Sequence, residues 1–177
     1  MIINILIAVA VILVVCVVVV VLQSAEFRVT RTATIAAPPG AVFPHVNELR
    51  KWELWNPWGK IDPAMKETYE GPAAGVGSVY SWVGNSKVGE GRMTITGSRP
   101  NELVQLKLEF FKPMAAVNTT EFTFKPEGNQ TTVTWTMTGK NNFVAKAMCL
   151  FMSMEKMVGG RFEKGLAQMK SVVETAG

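Results

Sequence analysis

Few side chains in this 177-residue chain could catalyse acid–base chemistry, and they are widely spaced. The single histidine, His45, has no cysteine or carboxylate at the spacing of a metal site or a Ser/His/Asp triad. The other groups that could hold or move a proton are Tyr80, Glu90, Arg92 and Glu109. Glu90 and Arg92 share one face of a predicted strand, so they could instead pair with each other in solvent. No spacing among these groups is diagnostic of a reaction.

The cysteines and the charge distribution argue against several kinds of site. Cys16 lies in the apolar N-terminus and Cys149 in a predicted helix, so they indicate neither a disulfide framework nor a metal site. The formal net charge is +4, but lysines and arginines are interspersed with acids rather than clustered. We therefore expect no nucleic-acid partner, no metal and no cofactor.

The N-terminal segment is the most apolar stretch of the chain. Every residue from Ile2 to Leu22 is apolar except Asn4. As a helix this segment would be about 32 Å long, enough to cross the apolar core of a bilayer. The run is also longer than the apolar core of a cleaved signal peptide, and no basic residue precedes it. We predict an uncleaved membrane anchor over residues 1–25, followed by one domain over residues 26–177.

The basic residues near this segment predict its orientation in the membrane. The N-terminal flank has no lysine or arginine, whereas Arg28 and Arg31 follow the apolar run. Positively charged residues favour the cytoplasmic side of a membrane span. The sequence therefore predicts a domain on the cytoplasmic side.

The middle of the chain predicts an antiparallel sheet. Short segments of alternating apolar and polar residues are separated by turns rich in Gly, Pro and Asn. The pattern is clearest where Val133, Trp135 and Met137 alternate with threonines. The predicted strands are 27–36, 66–70, 76–83, 87–98, 103–111, 116–124 and 131–138.

Short helices and a group of tryptophans are predicted between the first two strands. Pro38 and Pro39 end the first strand, and residues 41–49 can form a short helix. Trp52, Trp55 and Trp58 then follow at intervals of three residues. These rings could plug one end of the sheet, or they could rim a cavity mouth with free indole N–H groups.

Residues 142–175 predict one long C-terminal helix. Apolar residues recur there at steps of three and four, and Asn142 can serve as the N-cap. Several methionines make this apolar stripe adaptable in packing. Gly159 and Gly160 in its middle indicate a bend or a close approach of another group to the backbone. The stripe requires a surface to cover it, which the predicted sheet can provide.

Five short motifs carry a family resemblance. They are APPGAVF at 37–43, VNEL at 46–49 with the tryptophans that follow, GVGS at 75–78, GEGRMTI at 89–95 and FEKGL at 162–166. Together with the order of elements, they resemble the START-like (SRPBCC) superfamily in its polyketide cyclase/dehydrase-like branch. The resemblance implies an α+β helix-grip fold. In that fold a curved antiparallel sheet of about seven strands wraps a long C-terminal helix, and two short helices follow the first strand.

The resemblance also implies a deep, mostly apolar cavity between the sheet and the helix. This agrees with the aromatic and methionine side chains that both elements carry. If Tyr80 and Trp82 faced outward instead, the strand register would be shifted by one residue and the assignment of faces would invert. The predicted cavity residues are Trp55, Trp58, Tyr80, Trp82, Met93, Leu108, Phe110, Phe122, Trp135, Met137, Met148 and Met152.

An apolar cavity beside a membrane segment predicts a membrane-anchored module that binds a lipid-like or other hydrophobic small molecule. The membrane contact would be made by residues 2–22. One alternative is a polyketide cyclase/dehydratase-like enzyme, which would need an acid and a base inside the cavity. Another is a module that docks a protein partner through the tryptophans and holds no ligand. The lack of diagnostic spacing among acid–base groups favours binding over catalysis.

Overall fold

A seven-stranded antiparallel sheet is the central element of the fold. The computed structural model describes residues 2–59, 61–150 and 153–175. The strands are β1 (Glu26–Ile35), β2 (Lys66–Glu70), β3 (Val79–Val83), β4 (Glu90–Arg99), β5 (Leu103–Lys112), β6 (Ala116–Glu127) and β7 (Gln130–Lys140). Their order in the sheet is β1-β7-β6-β5-β4-β3-β2, so the first and last strands of the sequence are neighbours.

Helices precede β1, follow β1 and follow β7. They are α1 (Ile2–Leu22), α2 (Pro39–Val42), α3 (Pro44–Asn47), a 3₁₀ helix (Leu49–Leu54), α4 (Phe143–Met148) and α5 (Met154–Thr175). Pro39 and Pro44 begin α2 and α3, where a missing backbone N–H costs no helical hydrogen bond. The predicted short helices after the first strand are therefore confirmed.

Alternation along the strands places their apolar side chains on one face, toward α5. Phe122 of β6 lies opposite Trp135 of β7, and both are buried. Tyr80 and Trp82 of β3 are only 5% and 8% exposed, so they face inward and the shifted register is not adopted.

The C-terminal segment forms two helices, not the single helix predicted over residues 142–175. Asn142 caps α4 as predicted, because its side chain accepts a hydrogen bond from the Ala145 N–H at 2.8 Å. A second cap, Ser153, then begins α5, and its carbonyl oxygen accepts the Met157 N–H at 3.1 Å. Each cap starts a separate helix. The apolar period is the same in α4 and α5, so it could not reveal the interruption.

The contact between α5 and β1 explains one of the two central glycines. Arg31 of β1 forms ion pairs with Glu155 and Glu163 of α5. A Cβ atom at Gly159 would overlap the Arg31 guanidinium, whereas one at Gly160 would meet no atom within 4 Å. The predicted close approach is thus confirmed at Gly159, and the helix continues without interruption through both glycines.

α5 runs in the same direction as β1 and covers only part of the sheet. Its first turn lies level with the middle of β1, where Glu155 reaches Arg31. Its last turn lies at the end of β1, where the Ala36 N–H donates to Glu174 at 2.7 Å. We call the end of the sheet at which α1 joins β1 the near end, and the end at which β1 leads to α2 the far end. α5 covers the far half of the sheet more completely than the near half.

Several chain connections meet at the near end. Neighbouring strands are antiparallel, and their register pairs Glu26 with Lys140 and Glu90 with Lys112. The α1–β1, β3–β4, β5–β6 and β7–α4 connections therefore share this end of the sheet.

The N-terminal helix contacts the domain through α4. Lys146 of α4 donates from Nζ to the Val21 carbonyl oxygen at 2.9 Å, and Val20 is buried. Every other residue of α1 is exposed. Within the described residues, α1 is the one helix long and apolar enough to cross a membrane, a property that signal sequences also share.

Candidate ligand cavity

A cavity of about 330 Å³ lies between the near half of the sheet and the first turns of α5. Small-molecule sites in proteins have volumes of about 300–1,000 Å³ and mostly apolar walls. Val158 and Phe162 of α5 form one wall, and Trp58 and Met65 come from the segment before β2. The inward-facing side chains from the sheet are Tyr80, Trp82, Met93, Leu108, Phe110, Thr120, Trp135 and Met137.

Most of the residues predicted for the cavity lie on its wall. These are Trp58, Tyr80, Trp82, Met93, Leu108, Phe110, Trp135 and Met137. They come from different strands and from the tryptophan segment, and strand alternation gives them a common face.

Other predicted residues lie elsewhere. Trp55 and Phe122 are 1% and 0% exposed and belong to the packed core beside the cavity, not to its wall. Met148 is 47% exposed on α4, because the interruption of the C-terminal segment carries it away from the sheet. Met152 lies outside the described residues.

Two of the three tryptophans, Trp52 and Trp55, are buried in the core, and Trp52 also borders the cavity. Trp52 donates its indole N–H to the Val46 carbonyl oxygen at 3.0 Å, and Trp55 donates to that of His45 at 2.9 Å. Their N–H groups are therefore not free for a ligand. Trp58 reaches the cavity, where its ring meets Trp135 with the ring centroids 6.1 Å apart.

The cavity also includes residues that the sequence reasoning did not select. Val158 and Phe162 belong to the apolar stripe of the C-terminal segment, so helical period could have found them. Thr120 shares the inward face of β6 with Phe122, but the selection considered mainly apolar and aromatic side chains. Lys87 and Lys112 lie on the wall near loops, where no periodic pattern identifies inward positions.

The most exposed residues of the wall show where the cavity opens. Ser86, Lys87, Lys112 and Pro113 are exposed, and all lie at the β3–β4 or β5–β6 connection. Both connections belong to the near end of the sheet. The mouth of the cavity therefore lies at the end where α1 joins the domain.

The near end also has an apolar surface. Large apolar side chains are exposed on its loops, on strand ends and on α4. They include Val83, Phe111, Met114, Phe143, Val144 and Met148, each at least 36% exposed. Several apolar side chains are thus exposed around the mouth of the cavity.

Most polar groups of the inner wall are held by protein partners. Tyr80 donates its hydroxyl to Glu67 at 2.7 Å, and the Trp82 N–H donates to the Val88 carbonyl oxygen at 3.4 Å. Burial, followed by the hydrogen bond to Glu67, raises the pKa of Tyr80 well above its ordinary value. Tyr80 therefore presents a neutral, already bonded hydroxyl at neutral pH.

The other acid–base candidates lie outside the cavity wall. Glu90 pairs with Lys112 at 2.7 Å and not with Arg92, which donates to the Ser81 hydroxyl at 3.3 Å. Glu109 pairs with Lys107 at 2.6 Å. No three His, Cys, Asp or Glu side chains among the described residues are grouped as metal ligands. The cavity wall is thus suited to binding an apolar molecule.

Together, the sheet, the C-terminal helix and the cavity between them define a helix-grip fold that binds hydrophobic ligands. The chain belongs to the family described as polyketide cyclase / dehydrase and lipid transport, whose model matches residues 26–174. The family and the α+β helix-grip fold predicted from the sequence are both confirmed.

Solved structures of low sequence identity share this fold. Protein MLL2253 from Mesorhizobium loti has a TM-score of 0.63 at 12% identity, covering 85% of this chain and 99% of its own. The Aha1 dimer from Colwellia psychrerythraea has a TM-score of 0.60 at 17% identity, covering 84% and 96%. Protein CV1439 from Chromobacterium violaceum has a TM-score of 0.57 at 15% identity, covering 85% and 97%. No curated protein matches the chain in sequence.

Proposed function

We propose that this protein is a membrane-anchored binding module for a lipid-like or other hydrophobic small molecule. Residues 1–25 would form the anchor and residues 26–177 the binding domain. The observation that carries the proposal is the position of the cavity mouth, which shares the near end of the sheet with α1. A ligand leaving the bilayer beside α1 would have a short path to the cavity.

The size and lining of the cavity support a compact apolar ligand. At about 30 Å³ for a water-sized group, 330 Å³ holds roughly a dozen non-hydrogen atoms. One short hydrocarbon chain or a small ring system fits this volume, whereas two long acyl chains do not. Transfer of such a ligand from water would be favourable by about 25 cal/mol per Å² of buried apolar surface.

The surface of the near end supports contact with a membrane. Exposed side chains such as Phe111 and Phe143 could enter the interface between lipid headgroups and acyl chains. Lys140 and Lys146 lie at the same end, beside Arg28. Basic residues close to a membrane span favour the cytoplasmic side, so we propose a cytoplasmic domain.

The cavity can be tested with a matched pair of valine substitutions in the full chain in lipid nanodiscs. Val88 lies on the cavity wall, whereas Val117 is 58% exposed and lies outside it. Val88→Trp should fill the cavity and weaken binding of 1-decanol, an uncharged probe that matches the cavity in size, at least tenfold. Val117→Trp should leave the affinity unchanged. Equal affinities for the wild-type chain and both variants, or no binding by any, would refute the binding module.

The anchor can be tested by the mass of the membrane-bound protein. An uncleaved chain should be recovered from membranes at its full mass of 19.4 kDa and should resist extraction with alkaline carbonate. Recovery of a shorter chain that begins after Leu22 would instead identify a cleaved signal sequence. A reporter fused to the C-terminus should be active on the cytoplasmic side, and activity on the other side would reverse the proposed orientation.

A further inference from the structure

Two buried polar atoms on residues of the cavity wall have no hydrogen-bond partner among the described residues. They are the Thr120 hydroxyl oxygen and the Trp135 indole nitrogen. Each residue is only 2% exposed, and both contribute to the lining of the cavity. A buried donor without a partner is unfavourable because it has lost its hydrogen bonds to water. Tyr80 and Trp82, on the same wall, have their polar groups bonded within the protein.

The two residues are neighbours in the sheet. The register pairs Thr120 with Met137 and Phe122 with Trp135, so Thr120 and Trp135 are diagonal partners on one face. Diagonal side chains on adjacent strands lie about 7–8 Å apart at their backbones, within reach of an aromatic ring. A single small group between them could therefore contact both.

The packing of Trp135 fixes the position of its N–H group. The ring is stacked between Phe162, with centroids 3.8 Å apart, and Phe122, at 4.7 Å. A Cβ atom at Gly165 would lie 2.9 Å from Cζ3 of the indole, so this edge of the ring rests closely against α5. The N–H group is on the opposite edge of the ring. Because the ring is held on both faces and at one edge, it cannot turn to find another acceptor.

We propose that Thr120 and Trp135 form a polar subsite for an uncharged oxygen acceptor at the inner end of the ligand. This inference rests on the proposed binding function. An indole N–H can only donate and a threonine hydroxyl can also donate, so one carbonyl oxygen would satisfy both. A carboxylate is disfavoured at this depth, because Lys87 and Lys112 lie at the mouth of the cavity.

This subsite determines the chemical class of the ligand. It is a compact hydrocarbon of roughly a dozen non-hydrogen atoms that carries a ketone, ester or amide carbonyl. The carbonyl enters the cavity first, and the hydrocarbon part extends toward the mouth and the membrane.

The test compares 2-undecanone with undecane on the full chain in lipid nanodiscs. The two probes have nearly the same size, but only the ketone carries an acceptor. Each probe is added at the same mole fraction in the lipid, and the indole N–H resonances of ¹⁵N-tryptophan-labelled protein are recorded. Trp135→Phe assigns the Trp135 resonance. We expect 2-undecanone to move this resonance downfield by at least 0.3 ppm. Undecane should cause no downfield shift of the same resonance.

Substitutions at Thr120 separate the subsite from the cavity as a whole. Thr120→Val keeps the shape and removes the hydroxyl. It should therefore weaken the binding of 2-undecanone about fivefold and leave the binding of undecane unchanged. Thr120→Ser keeps the hydroxyl and should preserve the preference for the ketone. Both probes binding with the same effect on Trp135, or Thr120→Val weakening both equally, would overturn the subsite and leave the binding module intact. Failure of both probes to perturb any cavity tryptophan would overturn the binding module and the subsite with it.

Discussion

The near and far halves of the sheet are built from the same strands but differ in what covers them. In the far half, inward side chains are closely packed under α2, α3 and the second half of α5. Four of them, none more than 3% exposed, are Ile35, Val104, Phe124 and Val133. In the near half, Leu108 and Phe110 continue the same face of β5 but line the cavity and are only half-buried.

The cavity between the sheet and α5 depends on where the helices begin and end. Both halves of the sheet present large apolar and aromatic side chains, so their residue types do not explain the difference. α5 begins level with Arg31, and the chain between α4 and α5 is not helical at Cys149, Leu150 and Ser153. The near half therefore has less helix above it, and space remains under the sheet.

The largest difference between the halves is expected when one phenylalanine is removed from each. Phe124 is 3% exposed and packs edge-on against Phe43, with the ring centroids 5.5 Å apart. Phe124→Ala should lower the free energy of unfolding by about 3–5 kcal/mol, because a closely packed site cannot collapse around the lost ring. Phe110→Ala should cost less than about half as much, since Phe110 already borders open space.

Thermal and urea unfolding of the full chain in nanodiscs would measure both losses. Comparable losses for the two variants would mean that the near half is as tightly packed as the far half. The near half of the folded protein would then contain no cavity.

Two leucines on β5 locate the boundary between the halves. Leu106 is 0% exposed, and Leu108 lies two residues further along the same face on the cavity wall. Leu106→Phe should destabilise the protein by about 1–3 kcal/mol, because added volume in a packed core forces strain. Leu108→Phe should be close to neutral, because its extra atoms can enter the cavity. A larger cost for Leu108→Phe than for Leu106→Phe would place the open space elsewhere.

The strand pattern predicted which side of the sheet is apolar, but not how deeply each residue is covered. Alternation placed Trp135 and Phe122 on the inner face, and both are there. Their different surroundings depend on contacts with α5 and the tryptophan segment, which are distant in sequence. Trp55 and Trp58 show the same limit, since one is 1% exposed in the core and the other lines the cavity.

The interruption between α4 and α5 could not be derived from apolar period alone. Phe143 and Met154 fit a single helical stripe, yet they belong to separate helices. The available signal was Ser153, a residue type that favours the N-cap position. Thr120 was overlooked for a different reason, because a polar side chain on an inner face has no place in a selection based on hydrophobicity.

A pair of glycines on α5 tests how closely the helix approaches the sheet at the edge of the cavity. A Cβ atom at Gly165 would lie 2.9 Å from the Trp135 ring and 3.2 Å from Pro57. Gly165→Ala should therefore destabilise the protein by about 1–2 kcal/mol through overpacking. Gly160→Ala meets no neighbour within 4 Å and should stabilise it by about 0.5–1 kcal/mol through helix propensity. Stabilisation by both substitutions would show that α5 lies further from Trp135 and Pro57 than these distances.

The smallest effect is expected from the single histidine, His45. Its pKa reports how far burial removes this side chain from water at the far end. Burial, and then the positive charge of Lys51, lower the pKa of His45, while Glu48 opposes them weakly. Its Nδ1 is enclosed without a hydrogen-bond partner among the described residues. As the pH falls through about 6.5, the unfolded chain takes up a proton before the folded one does. The free energy of unfolding should therefore decrease from pH 7.5 down to the lower pKa of the folded state.

The substitution His45→Gln isolates this contribution from those of the carboxylates. The stability of the wild-type chain relative to His45→Gln should be greatest above pH 7 and should decline through about pH 6.5, where an unperturbed histidine titrates. Parallel pH profiles would mean that His45 is as solvated in the folded chain as in the unfolded one. A relative stability that increases toward acid pH would mean that the carboxylate of Glu48 raises the pKa of His45 by more than burial and Lys51 lower it.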